Sequence, residues 1–159
     1  EISACLVGSE MCIRDRSKPA DARVLAGFAE DATSRAEVER LAMEAVMAAE
    51  LSLGHEPRDV SAEKKGWDIE SRNAKAGALR FIEVKGRHVD GDVIMLTKNE
   101  LLASLNSPDA FILAIVQVEA GFAREPAYVR RFFQRELGFA ETAVAFHVGD
   151  LLTLAARPA

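Results

Sequence analysis

Residues 66–87 read GWDIESRNAKAGALRFIEVKGR, and the reading of this stretch decides the fold. Leu79 to Lys85 is a run of β-formers ended by Gly86, a second run starts at Gly66 and continues through Ser71, and the polar segment Arg72 to Gly77 between them is a loop. The two runs are expected to pair as a hairpin. Side chains alternate along a strand, so Phe81, Glu83 and Lys85 share one face while Ile82 and Val84 share the other. A turn centred near Lys75 and Ala76 sets Ile69 opposite Ile82 and Asp68 opposite Glu83. Two carboxylates and one ammonium then converge.

Like charges placed opposite each other cost a sheet about 0.2–1 kcal/mol, so the pair invites a cation. Mg²⁺ or Mn²⁺ suits it, because such an ion takes oxygen ligands, needs one or two carboxylates and keeps several waters. Asp68 and Glu83 are the expected metal anchors, with the Val84 carbonyl as a further donor. Lys85 lies about 7 Å beyond Glu83 along the strand, where it can orient a water or meet charge developing on a phosphate. With a divalent ion in place, phosphodiester hydrolysis requires no nucleophilic serine or cysteine.

Outward from the hairpin, Val38, Leu41, Ala42, Ala45, Val46, Ala49 and Leu53 recur at helical spacing. They predict a helix over Arg35–Leu53, opened by a Ser34/Glu37 capping box and stopped by Gly54. Pro57 to Ser61 is short and extended. Val93–Leu96 is a third strand, and Thr97 with Glu100 forms a capping box for a helix running to Leu105 that Pro108 closes. Ala110–Val118 is a buried strand, Ala143–Phe146 another strand, and Val148–Ala156 a last helix. Strands alternating with helices favour an α/β sandwich over a helical bundle.

The 159 residues, 49% hydrophobic and 28% charged, suit one globular domain, expected over residues 32–159. No apolar run is long enough to span a membrane as a helix, so no membrane partner is expected. A net charge of -5 provides no overall attraction for nucleic acid, and any DNA contact must come from a local basic surface or a fused partner. Residues 1–16, EISACLVGSEMCIRDR, resemble translated sequencing-adapter read-through and are expected to be non-native or disordered, taking Cys5 and Cys12 with them. Residues 17–31 are expected to be disordered or a linker to a missing N-terminal region. The expected compartment is a reducing cytoplasm.

Asp68, fourteen intervening residues, and then Glu83-Val84-Lys85 resemble the PD-(D/E)xK signature of restriction and repair nucleases, with Trp67 standing where that signature has proline. The resemblance implies a restriction-endonuclease-like sandwich, a central mixed β-sheet flanked by helices. It also implies a helper glutamate on the first core helix, for which Glu39 is the candidate and Glu44 and Glu50 fit less well. Cleavage of both strands by that fold implies two sites and hence a homodimer. From Arg35 to Phe146, the segments DVSAEKKGWDIES, LRFIEVKGR, MLTKNELLASLN and FILAIVQV resemble the family named for the plant NO VEIN protein. Its members often form the C-terminal part of helicases and Swi/Snf-type ATPases, phage-defence components among them. This implies a C-terminal fragment of such a protein, acting on DNA in repair or defence.

Bland readings stand beside these. The chain carries its own E-x-K decoy in Glu63-Lys64-Lys65, which lies in a polar loop, whereas Glu83 and Lys85 interrupt an apolar strand. A salt-bridge cluster is the structural alternative for Asp68, Glu83 and Lys85. Trp67 either stacks on a base or belongs to the core, and Thr97 and Glu100 are explained by capping, with phosphate contact or support of the site as the alternative. Arg72, Lys75, Arg87, His88 and Asn99 are candidate nucleic-acid contacts, and the three histidines have no zinc-ligand spacing. The functional expectation is a Mg²⁺-dependent endodeoxyribonuclease; the alternative is a catalytically inactive nucleic-acid or protein docking module of a helicase.

Overall fold

The computed structural model describes residues 22–159, with side chains described from residue 34 onward. The expectations for residues 1–16, including both cysteines, lie outside the described residues. The chain is an α/β domain. Its larger sheet has strands β1 (His55–Asp59), β2 (Ile69–Asn73), β3 (Leu79–His88), β5 (Phe111–Glu119) and β6 (Phe122–Ala123) side by side, with β7 (Ala127–Val129) also pairing with β5. The sheet is mixed: β3 and β5 are parallel and the other pairs antiparallel. A small second sheet pairs β4 (Val93–Thr97) with β8 (Ala143–His147).

The apolar run of β5 explains the layering. Residues 111–116 are buried without a break, so both faces of this strand are covered. Ile112, Ala114 and Val116 face helix α1 (Ala22–Ser52), packing with Ala42, Val46, Ile69 and Ile82. Phe111, Leu113 and Ile115 face the other layer, where β4, helix α2 (Lys98–Asn106) and helix α3 (Val148–Thr153) contribute Ile94, Leu96, Leu101, Val148 and Leu151. The parallel pairing of β3 with β5 requires a crossover, which β4 and α2 supply.

The expected hairpin forms in the expected register, with Ile69 opposite Ile82. The Thr97/Glu100 capping box is present, and α2 stops before Pro108. Four boundaries differ. α1 begins at Ala22 rather than Arg35, so residues 22–31, expected to be disordered or a linker, are helical, and Ser34 lies inside the helix instead of capping it. A stretch with four alanines among residues 22–32 and no proline sustains the extra turns, which a capping-box reading cannot see. β2 starts at Ile69, three residues after Gly66, and α3 ends at Thr153.

The fourth difference is Gly86, which does not end β3. The strand continues through it to His88, and a Cβ there would stand 2.8 Å from the Val38 carbonyl oxygen and 2.9 Å from the Ala42 Cβ. The glycine is a seat for α1, letting the helix backbone approach the sheet closely.

One charged residue lies on the buried stripe of α1. Val38, Ala42, Val46 and Glu50 follow one another at four-residue intervals, and Glu50 has no exposed surface. Its carboxylate accepts bonds from Ser71 Oγ (2.6 Å), Tyr128 Oη (2.9 Å) and Arg80 Nη1 (3.3 Å), and pairs with His55 Nδ1 at 2.8 Å. Burial pushes this carboxyl up, but Ser71, His55, Tyr128 and the Arg80 charge outweigh it and hold the group below its usual range. Gly86→Ala is expected to force α1 off the sheet and lower stability by about 1–3 kcal/mol, the usual cost of overpacking. Urea unfolding checks this, and a midpoint equal to wild type would mean that α1 is not seated on Gly86.

Candidate functional site

The β2–β3 ladder stops at Ile69–Ile82, while β3 runs six residues further. Beyond that point the two strands part. The Asp68 N–H still donates to the Ile82 carbonyl at 2.9 Å, but the next β3 donor, the Val84 N–H, is met by the Asp68 carboxylate, Oδ2, at 3.0 Å. A side chain has replaced a strand as hydrogen-bond partner. The opening is a cleft of about 870 Å³ between α1, the free flank of β3 and the β4/α2 layer.

Asp68, Glu83, Val84 and Lys85 line this cleft together with Glu39 from α1 and Glu100 from α2. Glu83 is 3% exposed, and its Oε1 lies 2.6 Å from Lys85 Nζ. Lys85 Nζ also lies 3.2 Å from Glu100 Oε2, the oxygen that accepts the Thr97 N–H in the capping box. Burial pushes the Glu83 carboxyl up to about 8 against the pull of Lys85, with Asp68 and Glu100 adding to the rise. Burial likewise raises Asp68, opposed by the Val84 N–H and by Lys85. For Lys85 burial works downward, but the Glu83 and Glu100 charges outweigh it and the ammonium is raised. The cluster holds its protons more tightly than the same groups would in water.

The other expected residues divide. Glu39 is on the cleft wall and exposed, and among the described residues no group of three or more His, Cys, Asp or Glu side chains is close enough to hold a metal ion. Arg87 and His88 line the cleft, Arg87 on the same strand face as Glu83 and Lys85. Arg72 and Lys75 lie exposed on the hairpin, away from it, because the turn is at the far end of β3. Asn99 is not part of the cleft; its carbonyl packs against Gly66, where a Cβ would stand 2.8 Å away. Trp67 belongs to the core layer, stacked on Phe81 with ring centroids 4.4 Å apart. Its buried Nε1 makes no well-formed hydrogen bond, and after Arg58 and Lys65 it helps to hold the Glu70 carboxyl below its usual range. The decoy is a surface set: Lys65 pairs with Glu63 at 2.6 Å and with Glu70 at 3.1 Å.

Two contacts of the site, Glu100 with Lys85 and Asp59 beside Asp68, are not legible in the sequence. Glu100 reads first as a capping residue, with a phosphate contact or support of the site as the other reading, and its spacing to Lys85 through a strand and a helix start gives no local signal. Asp59, which lines the cleft and pushes Asp68 further up, sits at the end of a strand whose pairing partner was not foreseen.

Fold and cleft together define a mixed α/β domain with a buried acid–lysine site at a parting of two strands. The chain belongs to the family described as Protein NO VEIN, C-terminal, whose match covers residues 38–129, more than half of the chain and all of Asp68, Glu83, Lys85 and Glu100. No curated protein and no solved structure gives a significant match. Among the described residues no helix is long and apolar enough to cross a membrane.

A pH dependence follows from the raised Glu83. The folded carboxyl keeps its proton up to about 8, whereas the unfolded one loses it near the ordinary glutamate value of 4.5. Its contribution to stability is therefore complete below that lower value and is lost as pH rises through the folded one, with a slope of at most about 1.4 kcal/mol per pH unit. In chelator-treated protein, Glu83→Gln should flatten this part of the stability–pH curve measured by urea unfolding. Parallel curves for variant and wild type would show that Glu83 does not titrate in this window.

Proposed function

We propose that this is a restriction-endonuclease-like PD-(D/E)xK domain that hydrolyses DNA phosphodiesters with Mg²⁺ or Mn²⁺. We place it as the C-terminal part of a helicase- or Swi/Snf-type ATPase-linked protein of DNA repair or phage defence. The observation that supports the reading is the parted strand pair. Asp68 and Glu83–Lys85, on the two arms of one hairpin, meet in one cleft at the point where β3 loses its neighbour.

The donor set fits a hard divalent ion. Asp68 commits Oδ2 to the Val84 N–H and Glu83 commits Oε1 to Lys85, so each carboxylate has a second oxygen to offer, and two carboxylates suffice for Mg²⁺. The Val84 carbonyl is the further protein donor in this reading, and Glu39 on the wall would hold an outer water. When bound, the ion supplies a Lewis acid and neutralises charge on the phosphate. Lys85 orients the attacking water or meets the charge that develops on the phosphate oxygens. Arg87 continues the cationic side of the cleft toward flanking phosphates and His88 offers a ring nitrogen beside it, while Arg72 and Lys75 can reach only a longer substrate. On a duplex, cutting both strands requires two sites and hence a homodimer.

A second reading, a catalytically inactive nucleic-acid or protein docking module of a helicase, is favoured by a specific feature. Lys85 already bonds both Glu83 and Glu100, which offsets much of the local charge without a cation. Tryptophan in the place of the signature proline points the same way.

On the nuclease reading, wild type binds Mn²⁺ in calorimetry and nicks supercoiled DNA. Asp68→Ala and Glu83→Gln lose both, and Lys85→Ala cleaves about 100-fold more slowly or worse, the scale of losing one electrostatic contact to the transition state. Variants that cleave as fast as wild type would sink this reading. DNA binding that is indifferent to chelator and leads to no turnover would establish the docking module instead.

A further inference from the structure

Resting on the nuclease reading, we infer that Glu100 is the positioning residue of the site, holding Lys85 at the cleft so that one N–H of its ammonium faces the substrate. An ammonium has three donors and no acceptor. Glu83 Oε1 takes one at 2.6 Å and Glu100 Oε2 a second at 3.2 Å, one carboxylate from β3 and one from α2. Two fixed partners on different elements fix the direction of the third. A flexible four-carbon side chain held by Glu83 alone would still swing about that single bond.

Capping does not account for Glu100 completely. It is the N3 residue of α2, and one oxygen, Oε2, accepts the Thr97 N–H at 2.9 Å and also faces Lys85. Its side chain is 14% exposed, so the charge lies well inside the cleft where a capping residue has no need to be. It also completes a charge balance: with the Glu83 proton displaced by a bound divalent cation, Asp68, Glu83 and Glu100 against Lys85 would leave two negative charges, which the two positive charges of that cation would balance.

The two roles can be separated. Glutamine serves in a capping box as glutamate does, so Glu100→Gln keeps the cap and removes the charge; Thr97→Ala removes the side-chain half of the cap, the Glu100 N–H bond to Oγ1, and keeps the charge. The rate at which an amine-acylating reagent modifies Lys85, followed by peptide mass spectrometry on metal-free protein at fixed pH, reads the lysine without any turnover. Severalfold faster labelling in Glu100→Gln, with wild-type labelling in Thr97→Ala at a lower melting temperature, is expected. On supercoiled DNA with Mn²⁺, Glu100→Gln should lower kcat about tenfold or more with KM unchanged, while Thr97→Ala keeps wild-type kcat. Unchanged labelling in Glu100→Gln overturns the inference, as does a Thr97→Ala variant that matches Glu100→Gln in both readouts. Faster labelling in Glu100→Gln from a wild-type protein that never cleaves overturns the nuclease reading and retains Glu100 as the lysine's anchor.

Discussion

The arrangement of the cleft depends on one substitution of hydrogen-bond partners: the Asp68 carboxylate does for the Val84 N–H what a neighbouring strand would otherwise do. A buried amide left without a partner costs about 1–3 kcal/mol, so β2 could not simply peel away from β3. The side chain lets the strands part at a defined residue, and the space between them becomes the cleft. It also holds a carboxylate against the floor, next to a second one, in a place where burial disfavours charge on both. Lys85 relieves that tension inside the chain.

Much of this was written locally. The alternation in Leu79–Lys85 and the loop between Arg72 and Gly77 set the hairpin register, and the register alone brings Asp68 to Glu83. The unbroken apolar run of β5 required cover on both faces, and the structure has it. What was not legible depends on contacts between distant elements. Gly86 reads as a strand end until α1 is seen to rest on it, and Glu50 reads as one more helical glutamate until its four-residue spacing from Val46 is followed inward. That spacing was a usable signal, since a charge on the stripe of Val38, Ala42 and Val46 must find partners when the stripe is buried.

The parallel β3–β5 pair joins the two halves of the site. β3 carries Glu83 and Lys85, and the crossover that returns the chain to β5 passes through β4 and α2, delivering Met95 and Glu100 to the opposite wall. The capping box then has a second consequence, because the residue that starts α2 correctly also faces Lys85. Helix orientation and lysine orientation are coupled through one carboxylate oxygen.

The Glu50 cluster, far from the cleft, governs how wide the cleft can be. A helix whose inner face is mostly small and aliphatic could slide along a sheet by one turn at little cost in buried area, and each slip would move Glu39 and the rest of its outer end by about 5 Å. Glu50 forbids this. Moved by a turn, its carboxylate would lose Ser71, His55, Tyr128 and Arg80 together and remain charged among aliphatic side chains, a loss of about 3–5 kcal/mol or more. Polar groups here select among packings that hydrophobic contact would tolerate equally, and the dimension they select is that of an opening whose wall residue Glu39 lies eleven helical residues away.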